Sequence, residues 1–189
     1  MPRSSLALLP ALLLVFCAVN AAFSEEIPVT VMRKTTEPRT VAFIRQKGPI
    51  EELPDVIKRL YAEIDKGGYH VCGPLMAVYY NDPRQTPADE MSWDVRIPVT
   101  NPGPMTAVDT GKLGFGYQSP AYVAYTYHVG PLDTVDEAYD RLLEWAGTNQ
   151  YQITGYVTEV YWSEPTAKMP VTEIWLPVEE KERPGRAVR

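Results

Sequence analysis

Val41-Ala42-Phe43-Ile44-Arg45-Gln46-Lys47-Gly48-Pro49-Ile50 and Val123-Ala124-Tyr125-Thr126-Tyr127-His128-Val129-Gly130-Pro131-Leu132 are two copies of one pattern, offset by 123 − 41 = 82 residues. Held at that offset, Arg59-Leu60 meets Arg141-Leu142, Tyr69 meets Tyr151, Gly73 meets Gly155, Val78-Tyr79 meets Val160-Tyr161, and Pro83 meets Pro165. Eleven of the 43 gapless positions from 41 to 83 are identical, several of them Gly, Pro or Tyr. After a three-residue deletion Asp94-Val95-Arg96-Ile97-Pro98 falls on Glu173-Ile174-Trp175-Leu176-Pro177. A period of this length in two copies does not suit a solenoid. It suits one supersecondary unit used twice about a pseudo-twofold axis.

Each copy reads as strands around one helix. Val41–Ile44 is β-rich, and Gly48-Pro49 is a turn signal that ends it. Leu53, Val56, Ile57, Leu60 and Ile64 then recur at helical spacing until Gly67-Gly68. The second helix starts near Asp133-Thr134 and buries Val135, Ala138, Tyr139, Leu142 and Ala146. Two strands follow each helix: Leu75–Tyr80 with Val95–Val99, and Val157–Trp162 with Glu173–Val178. Extra strands are predicted near Val29–Arg33 and Gly114–Tyr117, and residues 100–112 form the connection. The fold class is α+β: a tandem duplication of two strand–helix–strand–strand modules in pseudo-twofold arrangement, with a ligand cleft between them.

Outside this core, Arg3, the apolar run Leu6–Val19 and the small residues Ala21, Ala22 and Ser24 have the layout of a secretory signal peptide. The apolar run is short of the roughly 20 residues a bilayer span needs. The expected organisation is a signal peptide over 1–24, one domain over 25–178 (repeats at about 27–99 and 113–178), and a solvated, disordered tail over 179–189. An exported protein, periplasmic or secreted, with no stable membrane span after cleavage follows from this reading. Cleavage removes Cys17 and leaves Cys72, which is expected to be a buried, inert thiol between Val71 and Gly73. The chain carries a net charge of −6, the wrong sign for a dedicated nucleic-acid binder. Its 12 tyrosines favour surfaces that bind as well as bury.

Strand alternation groups the candidate site residues. Glu159 and Tyr161 share one face of their strand, Val160 and Trp162 the other. Ile174 and Leu176 should face the helix, which puts Glu173 and Trp175 on the helix-free side. Glu159 and Tyr161 are expected on that side too, with Ala77, Tyr79, Asp94 and Arg96 of the first copy. Aromatic walls around a partly desolvated carboxylate suit an organic cation or a flat, polarised ligand. The alternative is a solvated face on which Glu and Arg pair across strands.

The stretch Ala77-Val78-Tyr79-Tyr80-Asn81-Asp82-Pro83-Arg84-Gln85-Thr86-Pro87, with Asp94 and Pro98 downstream, resembles the GyrI-like small-molecule-binding family. That family includes the effector-binding domains of AraC- and MerR-type multidrug regulators. Gly48-Pro49, Gly130-Pro131 and Glu159-Val160-Tyr161 carry the resemblance through both copies, over roughly residues 27–178. The resemblance implies two modules with a ligand cleft between them, and Glu159 as the acidic group of that cleft. Tyr161 carries over with it, and Trp175, Tyr79, Tyr125 and Tyr127 are further candidates for the aromatic walls. The regulators place a helix-turn-helix domain ahead of this module, where this chain has its apolar leader, so transcription control is not expected.

Three functional classes follow. The favoured one is a stand-alone binding protein for a small, hydrophobic, cationic or planar aromatic molecule. The second is a hydrolase of strained, cyclopropane-type xenobiotics, an activity the resemblance allows, with Glu159 positioning or deprotonating water. The third is a protein-interaction or envelope role with a vestigial pocket. No cofactor and no metal are expected, since His70, His128 and Cys72 match no zinc spacing and Gly114-Phe115-Gly116 is too little for a phosphate loop.

Overall fold

The computed structural model describes residues 30–105, 109–163 and 167–181. The segment read as a signal peptide and tail residues 182–189 lie outside these. The elements in chain order are β1 (Met32–Thr35), β2 (Arg39–Lys47), α1 (Leu53–Gly67), β3 (Leu75–Tyr79), β4 (Ser92–Pro98), β5 (Leu113–Gln118), β6 (Tyr122–Val129), α2 (Asp136–Thr148), β7 (Tyr151–Ile153), β8 (Val157–Tyr161) and β9 (Val171–Glu180). Short 3-10 turns, Ile50–Glu52 and Leu132–Thr134, lead into the helices.

The strands form one antiparallel sheet in the order β1-β6-β9-β8-β3-β4-β2-β5, with β7 added to β9. Outward from the centre, β8-β9-β6 mirrors β3-β4-β2, which is the duplication written as topology. The central register pairs Ala77 with Glu159, and 159 − 77 = 82 is the repeat offset. The pseudo-twofold axis therefore passes through this one residue pair.

The outermost strands are exchanged between modules. β1 precedes β2 in the chain but pairs with β6, and β5 precedes β6 but pairs with β2. In a flat sheet β1 and β2 would lie about 29 Å apart, six strand spacings, whereas the link through residues 36–38 reaches roughly 14 Å. The sheet must curl until its ends meet. The two links indeed touch: the Thr36 N–H donates to the Ala121 carbonyl at 2.8 Å, and the Ala121 N–H to Thr36 Oγ1 at 2.9 Å. Inside the curl, Val41, Met76, Val123, Val160 and Trp175 pack into a core on the helix-free face.

Both helices lie on the other face. α1 buries Leu53, Val56, Leu60 and Ile64 against Ala42, Ile44, Ala77, Trp93 and Val95, and each such side chain contributes roughly 1.5–3 kcal/mol. Gly68 ends α1 in the left-handed region, at φ 67°, where a side chain would be strained. α2 buries Ala138, Leu142 and Ala146 against Ala124, Ile174, Leu176 and Val178.

Several expectations are corrected. Cys72 is exposed, as is Val71, because this apolar stretch runs along the sheet rim with a single bridge from Val71 to Val99. Glu179 and Glu180 belong to β9 and pair with Gln152 and Tyr151 of β7, so the strand outlasts the apolar pattern. α2 begins at Asp136, after the 3-10 turn, rather than at Asp133-Thr134.

Candidate functional site

Glu159 occupies the sheet's central pair, opposite Ala77, whose methyl group leaves the axis free for one longer side chain. Register then fixes its face. Glu159 pairs with Ile174 on β9 as well as with Ala77 on β3, and directly paired residues point the same way. Ile174 packs under α2, so Glu159 points toward the helices. The placement of Glu159, Tyr161, Ala77 and Tyr79 on the helix-free face is thereby corrected. Their sharing of one face stands, as does the placement of Asp94, Arg96, Glu173 and Trp175 on the other.

Glu159 is 4% exposed, and its carboxylate accepts three phenol hydrogen bonds. Tyr79 donates to Oε2 at 3.1 Å, Tyr161 to Oε2 at 2.6 Å, and Tyr139 of α2 to Oε1 at 2.6 Å. Tyr79 and Tyr161 are repeat mates, so the axis presents two equivalent phenols to one carboxylate. All three phenols are pushed well above the usual tyrosine range, first by burial and then by the charge on Glu159. They therefore stay neutral donors. Among the described residues no lysine, arginine or histidine pairs with Glu159.

Above the carboxylate lies a cavity of about 370 Å³ between the modules. Tyr79, Tyr80, Tyr139 and Tyr156 supply rings, Leu132, Val135, Leu142 and Leu143 an aliphatic wall, and Ile50 and Leu53 the 3-10 turn and first residue of α1. The β3–β4 loop adds Asp82 and Arg84, whose guanidinium is held by Asp140 of α2 at 2.6 Å and by Asp82 at 3.4 Å. That cation is already neutralised; of the two remaining carboxylates on the lining, Asp136 is exposed at the start of α2, and Glu159 is the buried one without a counter-ion.

The structure thus brings together Glu159, Tyr79 and Tyr161, although Tyr161 lies beneath the cavity and supports the carboxylate. Trp175, Tyr125 and Tyr127 do not line this cavity, because Glu173 and Trp175, with Tyr127 and Tyr125 paired opposite them, face the other side of the sheet from Ile174 and Glu159. The lining tyrosines that sequence reasoning missed are Tyr80, Tyr139 and Tyr156. Tyr139 was visible as a polar-tipped residue on the apolar stripe of its helix, at a position the first copy fills with Ile57.

The sequence matches the GyrI-like small molecule binding domain over residues 15–105 and 119–179. The chain belongs to the GyrI-like family. Its fold agrees with that of the EcmrR C-terminal domain (TM-score 0.69, 21% identity, covering 80% of this chain and 98% of that one). In the EcmrR–DNA complex the match covers 83% of this chain and 60% of the longer EcmrR chain. A Listeria innocua protein described as a hydrolase is similar over 82% of this chain and 96% of its own (TM-score 0.59, 16% identity). SAV2435, solved bound to tetraphenylphosphonium, is similar over 79% of this chain and 94% of its own (TM-score 0.53, 12% identity). No match is found among the curated proteins.

Proposed function

We propose that this GyrI-like domain is a receptor for a monovalent, lipophilic organic cation, held over Glu159 between the two modules. The observation that carries the reading is a buried carboxylate with three neutral donors and no counter-ion. Burying a charge is costly unless it is paired, and a bound cation would supply the missing partner. Because the phenol hydroxyls are engaged by Glu159, the ring faces of Tyr79 and Tyr139 are what remains for a ligand. Ring faces attract diffuse cations. The tetraphenylphosphonium complex of SAV2435, on a similar fold, makes that ion the first probe to use. Titrated calorimetrically, it is expected to bind with one-to-one stoichiometry, with tetraphenylsilane, its neutral analogue of the same shape, much weaker. Equal affinity for the two would remove charge recognition from the reading.

Hydrolysis at the same carboxylate is the second reading, favoured by Glu159 lining the cavity directly. Incubation with a cyclopropane-type electrophile, followed by mass spectrometry, separates the two, since a receptor returns the compound unchanged.

The domain organisation proposed with this function is an exported one, supported by the layout of residues 1–24. Protein recovered from the producing cells is expected to start between residues 22 and 25. A chain that still begins at Met1 would overturn export by cleavage.

A further inference from the structure

The residues left over from the first site, Trp175, Tyr125 and Tyr127, converge on the other face of the sheet around a second buried acid. Glu173 is fully buried. It pairs across strands with Tyr127, as Trp175 does with Tyr125. One carboxylate oxygen accepts from the Trp162 indole N–H at 2.8 Å, and the other pairs with Lys34. The Lys34 ammonium also sits 4.5 Å from the ring centre of Tyr125 and 4.8 Å from that of Trp175. A buried carboxylate and two ring faces around one ammonium group make up a complete cation receptor. Trp175 takes part through its ring, since its indole N–H is buried without an acceptor.

The duplication shows how unusual this is. The repeat mate of Glu173 is Asp94, equally buried. Asp94 is neutralised from within its own module: Arg96 clamps it at 2.7 and 2.8 Å, Arg45 stands at 3.7 Å, and the Tyr80 hydroxyl donates to it. The mates of Arg96 and Arg45 are Trp175 and Tyr127, so both cations of the first module become aromatic rings in the second. The counter-ion for Glu173 comes instead from β1, a four-residue edge strand. The mate of Lys34 on β5 is Gly116, which offers nothing comparable. Lys34 is 33% exposed along its side chain, so the box opens to solvent where the lysine enters.

We propose that Glu173, Trp175, Tyr125 and Trp162 form a second cation site, specific for primary alkylammonium ions, whose resident occupant is Lys34 and which a free amine takes over by displacing it. The assignment is independent of the Glu159 cavity. A tethered ammonium competes at high effective concentration, so the native chain masks the site.

The test uses the full chain with Glu159→Gln as background, which removes the negative charge from the first cavity. Lys34→Ala is added and n-propylammonium supplied, with n-propanol and sodium chloride as controls. The expected result is a saturable rise in melting temperature with the amine alone, at roughly one tenth or less of the concentration the Lys34-containing chain needs. The response should vanish when Glu173→Gln is added. Should Lys34→Ala be unfolded in buffer, the amine is expected to refold it cooperatively, and failure to do so overturns the proposal. A non-saturable response matched by salt, or equal concentrations with and without Lys34, overturns it as well.

Discussion

Glu159→Gln is expected to weaken tetraphenylphosphonium binding by about 1–3 kcal/mol, or roughly 5- to 150-fold, while the melting temperature of the ligand-free protein holds or rises. The amide is isosteric with the carboxylate and keeps the local geometry. Its oxygen can still accept from Tyr79 and Tyr161, which share Oε2 in the native chain. Its NH2 would turn toward Tyr139, whose hydroxyl then accepts rather than donates. What disappears is the charge, and with it both the attraction for a cation and the cost of keeping an unpaired anion away from water. Affinity and stability should therefore move in opposite directions, which a packing defect would not produce. Calorimetric titration and a melting curve on the same preparation check both. An unchanged dissociation constant would remove Glu159 from the binding surface.

Trp93→Ala is expected to cost about 3–5 kcal/mol of stability, the range for deleting a large buried aromatic side chain. Trp93 is fully buried in the α1 core, and its indole N–H donates to the Gly48 carbonyl at 3.0 Å. It thereby ties β4 to the turn that launches α1. The repeat mate is Thr172 on β9, also fully buried but with its hydroxyl unpaired. In the second module His128 Nε2 makes the corresponding contact, to the Pro131 carbonyl at 2.9 Å. Thr172→Val should accordingly be neutral or slightly stabilising, because it removes an unsatisfied polar group. Urea denaturation of both variants checks the asymmetry, and equal losses at the two positions would contradict it.

Much of this was legible in the chain. Gly48-Pro49 and Gly130-Pro131 marked the two helix entries, and the spacing of Leu53, Val56, Leu60 and Ile64 gave the buried stripe of α1. Tyr79 and Tyr161 fell at equivalent positions, and alternation grouped Glu159 with Tyr161. What alternation could not supply was strand register. Pairing Glu159 with Ile174 rather than with Glu173 is a shift of one residue, and one residue moves every side chain to the other face. The aromatic candidates consequently divided between two sites, with Tyr79 beside Glu159 and Trp175, Tyr125 and Tyr127 beside Glu173. β7 escaped notice because its three residues follow directly on α2, through Gln150 at φ 62°. The exchange of β1 and β5 was also invisible, since nothing in a short strand says which distant partner it will take.

That exchange means the repeat in the gene and the repeat in space have different boundaries. A break in the connection at residues 100–112 would give two fragments, each carrying the edge strand of the other and missing its own. Neither half is a finished folding unit, and the domain resembles a clasp more than two beads on a string. Shortening the N-terminus past Thr35, which removes β1, would spare the module it belongs to by sequence. It would uncover the edge of β6, at the far end of the sheet, and leave Glu173 without its counter-ion.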